Sequence, residues 1–307
     1  MASFTAKDVA ELRRQTGCGM MDCKNALVEA NGDFEAAVKI LREKGMAASA
    51  KKQSRVAAEG LVDILTLDGK TAMIEVNTET DFVAKNESFK EFVKDLLQTI
   101  IACSPANVEA LMGCAYVGSD KTVEAVLQEK TYTIGEKLSI RRFILVEGVT
   151  STYVHGTGVT GVVISFDTDV ADHPEFAEFG KNIALQAAAY NAPYLSRDTV
   201  PASVIEEEKA ILLKQMEQDP KMANKPAKVL EGIVAGKLGK FFEANCLLEQ
   251  AYVKDDSLTV GKYVEQSAKA MGGSIVVTGC YRYDKGEGIE KREDDLAAEV
   301  AKMVGGN

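Results

Sequence analysis

The spacing of hydrophobic positions changes several times along the chain, and each change marks a new element. Over residues 5–45 apolar side chains recur at helical spacing: Val9 and Leu12, then Cys23, Ala26 and Leu27, then Phe34, Ala37, Val38 and Leu41. Polar residues and glycines punctuate them. Thr5 with Asp8 reads as a capping-box opening, and Phe4 and Val9 are placed for a hydrophobic staple. Gly17 and Gly19 stop this first helix near Thr16. Asp22 is the expected cap of the second, Asn31-Gly32 breaks it, Asp33 caps the third, and Gly45 ends that one. Three short helices make a small core. Residues 46–59 read as a helical or loose basic linker.

From residue 60 the period shortens to two. Leu61–Leu67 reads as a strand, Asp68-Gly69 is a strong two-residue turn signal, and Lys70–Val76 returns as the second arm of a hairpin. Asn77–Asn86 is polar apart from Phe82 and its neighbours. Helical spacing resumes over 88–102 with Phe89, Phe92, Val93, Leu96 and Ile100, and Leu138–Val146 reads as another strand. The second half echoes the first. Phe89-x-Glu-Phe92 recurs as Phe176-x-Glu-Phe179, Lys94 matches Lys181, and Leu96 matches Ile183. A strand precedes each copy (Thr71–Val76 and Gly161–Phe166), and Ser274–Tyr283 would be the last strand. The pattern predicts two related α+β core modules; chance similarity over so few positions is the alternative.

Residues 203–246 interrupt the second module as a helical hairpin. Ser203-x-x-Glu206 reads as a capping box, with a helix to about Gln218. Pro226 opens a second helix through about Phe242. Ile205, Ile211, Leu212 and Met216 would face Val229, Leu230, Ile233, Val234 and Leu238. A final helix is expected near Asp294–Met303.

Composition narrows the function classes. The 307 residues carry 36 basic and 46 acidic side chains, a net −10 with a pI near 5.0. That balance argues against a dedicated nucleic-acid binder. The sequence has no secretory leader pattern and no long apolar run, so neither secretion nor membrane insertion is expected, and the cytoplasm is. Six cysteines without a C-x-x-C pair read as reduced thiols. With only His155 and His173, a histidine-based metal site is not expected.

Candidate chemistry is sparse. Gly156-Thr-Gly158-Val-Thr-Gly161 matches a dinucleotide-loop pattern, but strand-like residues follow it where a helix is required. Gly232-x-x-x-Gly236-Lys237 sits within a predicted helix and is no phosphate loop. The acid pairs read as solvated helix faces. Two features stand out. Met20 and Met21 lie in a Gly-rich inter-helix loop, suited either to a core or to an adaptable partner surface. Thr80-Asp81-Phe82-Val83 is either a cap with a buried ring or an apolar wedge beside a charge at a rigid corner.

Five segments together resemble the bacterial elongation factor Ts family: TGCGMMDCKNAL (16–27), EVNTETDFVAKN (75–86), IGEKLSIRR (134–142), HGTGVTGV (155–162) and GEGIEK (286–291). The resemblance spans nearly the whole chain, in the family's order. It implies a ubiquitin-associated-like three-helix domain with linker over 1–55 and an N-terminal core module over 56–149. A C-terminal core module over 150–285, containing the hairpin 203–246, and a C-terminal helical module over 286–307 would follow.

The implied activity is guanine-nucleotide exchange on the GTPase elongation factor Tu, with no covalent chemistry, catalytic residue, cofactor or metal. Asp81 and Phe82, with Thr80 and Val83, would press into the partner's GTPase domain near its Mg²⁺ and phosphate loop. Arg13, Met20, Met21, Lys24, Ile134, Gly135 and His155 fall on further partner-binding positions. Residues 1–60 carry ten basic and eight acidic side chains, so this end is the less acidic one. Homodimerisation through exposed sheet edges accords with such modules. A different class, an adaptor binding nascent chains through residues 1–55, predicts tolerance to loss of Asp81 and Phe82. An enzyme using the 156–161 loop predicts nucleotide binding by the isolated chain.

Overall fold

The computed structural model describes residues 4–52, 54–218 and 226–290. Helix α1 (Ala6–Thr16) opens with the predicted capping box: Thr5 Oγ1 accepts from the Asp8 amide at 3.3 Å, and the Asp8 carboxylate accepts from the Thr5 amide at 2.6 Å. Gly17 closes it in the left-handed region. Helix α2 (Met20–Glu29) begins earlier than expected. Gly19 is its N-cap, and Asp22 lies inside the first turn, near the positive end of the helix. Met20 and Met21 are therefore helical residues, not loop residues.

Helix α3 (Phe34–Lys52) starts after Asp33, whose Oδ1 accepts from the Ala36 amide at 2.9 Å. It does not end at Gly45. A methyl group at Gly45 would lie at ordinary contact distance, 3.4 Å, from Tyr132 Cβ, so α3 runs on here beside Tyr132.

Strands β1 (Glu59–Leu67) and β2 (Lys70–Thr78) pair through Asp68 and Gly69, which have φ of 51° and 73°. Two positive φ values match the right-handed twist of the arms. After them come α4 (Asp81–Ala84), α5 (Glu87–Cys103), α6 (Val108–Met112), α7 (Val123–Ile134) and β3 (Ser139–Glu147). The antiparallel sheet has the order β1-β2-β3, and α5 buries Phe89, Phe92, Val93, Leu96 and Ile100 in the core it shares with that sheet.

A second antiparallel sheet follows. It comprises β4 (Val149–His155), β5 (Thr160–Thr168) and β8 (Ile275–Asp284), in the order β4-β5-β8. Between its last two strands lie α8 (Phe176–Ala189), α9 (Ala202–Glu217), α10 (Ala227–Asn245), the short pair β6 (Ala251–Tyr252) and β7 (Asp255–Thr259), and α11 (Val260–Met271). Phe176 and Phe179 of α8 are buried as their counterparts in α5 are. Both central strands meet their third strand across a bulge, at Glu75/Val76 and at Ser165/Phe166. The two sheets also touch. Val62, Met73 and Val163 form a shared cluster, and a methyl on Gly161 would lie 2.5 Å from Val62 Cγ1.

Ser203 does not cap α9. Pro201 occupies the N-cap and its carbonyl accepts from Val204 and Ile205, so Ser203 falls two positions past the cap, inside the first turn. Pro226 likewise stands at the N-cap of α10, which runs on to Asn245. Helices α9 and α10 pack on each other. Leu212, Met216 and Leu238 are buried, but Ile211 and Val229 of the expected seam are exposed. Residues 219–225 and the helix expected near 294–303 lie outside the described residues. Among the described residues no helix is long and apolar enough to cross a membrane.

Candidate partner-binding site

Phe82 is 81% exposed, the most accessible large apolar side chain among the described residues. It sits on α4, a single turn. One turn fixes several dihedrals for few hydrogen bonds, so α4 needs outside support. Thr80 supplies the N-cap, its Oγ1 accepting from the Val83 amide at 3.5 Å. Asn86 caps the next helix through Oδ1 and the Ser88 amide at 2.9 Å. Ala84 is buried, and Val83 packs against the first module's core. Lys85 Nζ donates to Asp81 Oδ2 at 2.6 Å. That bond holds the Asp81 carboxyl below its ordinary range, so it stays charged beside the ring.

The strongest support comes from 56 residues away in sequence. Glu136 accepts from Thr80 Oγ1 at 2.6 Å, the Thr80 amide at 3.0 Å and Thr78 Oγ1 at 2.8 Å. In return, Glu79 Oε1 accepts from the Lys137 amide at 2.6 Å and from Arg55 Nη1 at 3.2 Å. Glu136 directly follows Ile134 and Gly135, so these bonds bring two of the sequence-predicted groups together. Ile134 packs on the same core as Val83. Gly135 has a φ of 87° and ends α7, its amide donating to the Thr131 carbonyl at 3.2 Å.

The N-terminal group adjoins this corner. A methyl on Gly17 would lie 3.6 Å from Thr133 Cγ2, so the α1–α2 turn abuts the end of α7. Met20 and Met21 are exposed at 43% and 62%, and Arg13 and Lys24 are exposed nearby in sequence. His155 is also exposed, at the end of β4, where its Nδ1 lies 3.1 Å from the Tyr153 hydroxyl. No described hydrogen bond links it to Thr80–Val83 or to Ile134–Gly135.

The residues after His155 are structural. Residues 156–159 join β4 to β5, strand to strand, and Gly161 already lies in β5, so the helix N-terminus needed to hold a pyrophosphate does not follow the motif. Gly158 has a φ of 86°, and a methyl there would lie 2.7 Å from Leu61 Cβ and 2.8 Å from the Val62 carbonyl oxygen. Its own carbonyl accepts from the Val62 amide at 2.9 Å. The glycines permit the close approach of one module to the other. Among the described residues no group of three or more His, Cys, Asp or Glu side chains is placed to hold a metal.

Sequence reading missed two residues that organise this region, Glu136 and Glu75. Glu75 is fully buried in β2. It accepts from Arg141 Nη1 at 2.9 Å, Arg142 Nε at 2.7 Å, Asn77 Nδ2 at 3.1 Å and the Gly286 amide at 2.8 Å. Burial pushes its pKa up, but the Gly286 amide, both guanidiniums and Asn77 more than offset this and hold it below the ordinary carboxylate range. Arg142 also stacks 4.1 Å above the Tyr283 ring and pairs with Glu287 at 3.0 Å. The signal was present: a lone acid between Ile74 and Val76, with the basic pair Arg141-Arg142 in a later strand. Glu136 offered none, since its partners lie far off along the chain.

The arrangement offers an apolar ring beside a fixed carboxylate, on a corner anchored by non-local hydrogen bonds. Comparison with known proteins gives this corner its context. The family model "Elongation factor TS" matches residues 79–287, beginning at the residue before the cap of α4. The chain belongs to the elongation factor Ts family. It is 46% identical over 305 residues to elongation factor Ts of Syntrophotalea carbinolica, covering 98% of this chain and 99% of that protein. Elongation factor Ts of Clostridioides difficile is 46% identical over 308 residues, covering 99% of this chain and all of that protein. Elongation factor Ts of Symbiobacterium thermophilum is 46% identical over 314 residues, with 99% of each covered. Family membership makes the chain a translation elongation factor, acting in protein biosynthesis.

Proposed function

We propose that this elongation factor is a guanine-nucleotide exchange factor for the GTPase elongation factor Tu, acting in the cytoplasm without making or breaking a covalent bond. Phe82 presses into the partner's GTPase domain and displaces side chains near its Mg²⁺ and phosphate loop. Asp81 orients the corner. Thr80 and Val83 hold the ring in place, while Arg13, Met20, Met21, Lys24, Ile134, Gly135 and His155 supply the surrounding contacts. In this reading residues 1–55 are the ubiquitin-associated-like unit, 56–149 and 150–285 the core modules, 203–246 an insertion and 286–307 a further contact segment.

The observation that carries the proposal is the exposed Phe82 on a braced turn. An unpaired ring left in water forgoes roughly 1.5–3 kcal/mol of burial, which contact with a partner recovers. Exchange then follows from reciprocity. Whatever factor favours nucleotide-free over GDP-bound partner also weakens GDP in the complex. A thousandfold preference corresponds to about 4.1 kcal/mol. The braced backbone beneath the ring limits the ordering entropy lost on docking.

The test is release of a fluorescent GDP from purified elongation factor Tu, with wild type, Phe82→Ala and Asp81→Ala. Acceleration by wild type and a large loss with Phe82→Ala are expected. An unchanged release rate with wild-type protein and a matched partner rejects the reading.

A further inference from the structure

The ring of Phe82 is exposed, so its direction depends on how the backbone beneath it is held. We propose that Glu136 is the positioning residue of this corner: its carboxylate clasps Thr78 and Thr80, and so welds the Phe82 turn to the Ile134–Gly135 segment as one rigid surface. The clasp stands on the geometry alone. Its consequence for exchange rests on the function proposed above.

Three observations carry this. First, α4 has four residues and cannot hold its own shape. Downstream it is tied by the Asn86 cap and by buried Ala84. Upstream, beyond its own N-cap, it is tied through Glu136, which takes both the amide and the hydroxyl of Thr80.

Second, the bonding suits a carboxylate and not a neutral isostere. Oε2 accepts two donors and Oε1 accepts the Thr80 hydroxyl at 2.6 Å. The same hydroxyl oxygen receives the Val83 amide. With an amide nitrogen in the place of Oε1, the Thr80 hydroxyl proton would lose its acceptor and the cap would have to turn.

Third, the link is reciprocal. Glu136 receives the Thr80 amide while Glu79 receives the Lys137 amide at 2.6 Å. Two segments that exchange carboxylate–amide bonds in both directions are fixed in separation and in register. Lys137 further donates through Nζ to the Arg55 carbonyl at 2.9 Å, which ties the chain leading into β1 to the same point.

The experiment uses the full chain, in two parts. Amide hydrogen exchange of the protein alone is measured for wild type, Glu136→Gln and Glu136→Ala. Glu136→Ala is expected to speed exchange at Val83–Lys85 by about tenfold or more, while amides within β1 and β2 keep their protection. Glu136→Gln should fall between. Unchanged protection at Val83–Lys85 overturns the clasp, whatever the partner does.

Nucleotide release from elongation factor Tu is then measured for Glu136→Ala and Phe82→Ala, singly and together. Glu136→Ala alone should lower exchange kcat/KM by roughly tenfold. In the Phe82→Ala background it should add less than about twofold, because a positioning residue has nothing left to position. Losses that multiply in full overturn the proposed route through the ring. If Phe82→Ala leaves release unchanged, the exchange wedge is wrong, and hydrogen exchange alone still decides the clasp.

Discussion

Arg141 reaches the buried carboxylate of Glu75 from the bulged position of β3, with Nη1 2.9 Å from Oε1. The second sheet has the same construction with a neutral pair. There the bulged residue is Thr278, whose Oγ1 lies 2.9 Å from Ser165 Oγ on the central strand. A bulge turns an extra side chain back across the ladder. One module spends it on an ion pair, the other on a hydroxyl contact.

Glu75→Ala should therefore be far more damaging than Ser165→Ala. Removing Glu75 leaves two guanidiniums facing a fully buried site. Because Arg141 and Arg142 retain 27% and 29% exposure, the loss falls at the low end of the range for a broken buried pair. It is expected at about 3 kcal/mol, against about 1 kcal/mol for a hydroxyl contact. Urea denaturation of the two variants checks the ranking.

Acid should act through the same residue. The folded-state pKa of Glu75 is depressed, so its contribution is complete above the unfolded value of about 4.3 and is lost as pH falls through the folded value. Wild type should lose stability steadily below about pH 4, and Glu75→Gln should lack that component. Urea midpoints measured between neutral pH and pH 3 for the two proteins decide it. Parallel curves would remove Glu75 from the acid response.

Phe82→Ala should leave folding stability within about 0.5 kcal/mol of wild type, since an exposed ring contributes little packing. Thermal unfolding tests this directly. A clear drop in Tm would mean that the ring packs in solution.

Gly158→Ala should cost more than Gly161→Ala. At Gly158 the added methyl meets the Val62 carbonyl at 2.8 Å, and the residue has a φ of 86°. At Gly161 the close atoms belong to side chains, Val62 Cγ1 and Met73 Sδ, which can shift. Overpacking of this kind costs about 1–3 kcal/mol, with left-handed strain added at Gly158. Equilibrium denaturation of both variants gives the order.

Local signals carried much of the fold. The Thr5–Asp8 capping box, the Asp68-Gly69 turn and the buried stripe of α5 were readable because each is decided within a few residues. Failures came where distant packing overrode the local rule. Gly45 reads as a stop, yet Tyr132 of α7 packs on it and α3 continues. Met20 and Met21 read as loop because Asp22 looked like a cap, but Gly19 takes that role. At the candidate site the ring was legible, since an apolar residue among polar ones is conspicuous. The brace was not, because the separation between Thr80 and Glu136 leaves no periodic trace.

The long excursion between β5 and β8 has a consequence for assembly during synthesis. The first sheet closes once β3 has emerged, and loop closure from Thr78 to Ser139 is short beside that from Thr168 to Ile275. Chains fold from the N-terminal end as they are made. The braced Phe82 turn is thus complete while most of the second module is still unmade. Glu75 must wait, because its fourth donor, the Gly286 amide, arrives only after the final strand. Until then its carboxylate lacks that partner, and docking of the last turn adds a buried polar tie to the apolar contact that Val62, Met73 and Val163 make between the halves.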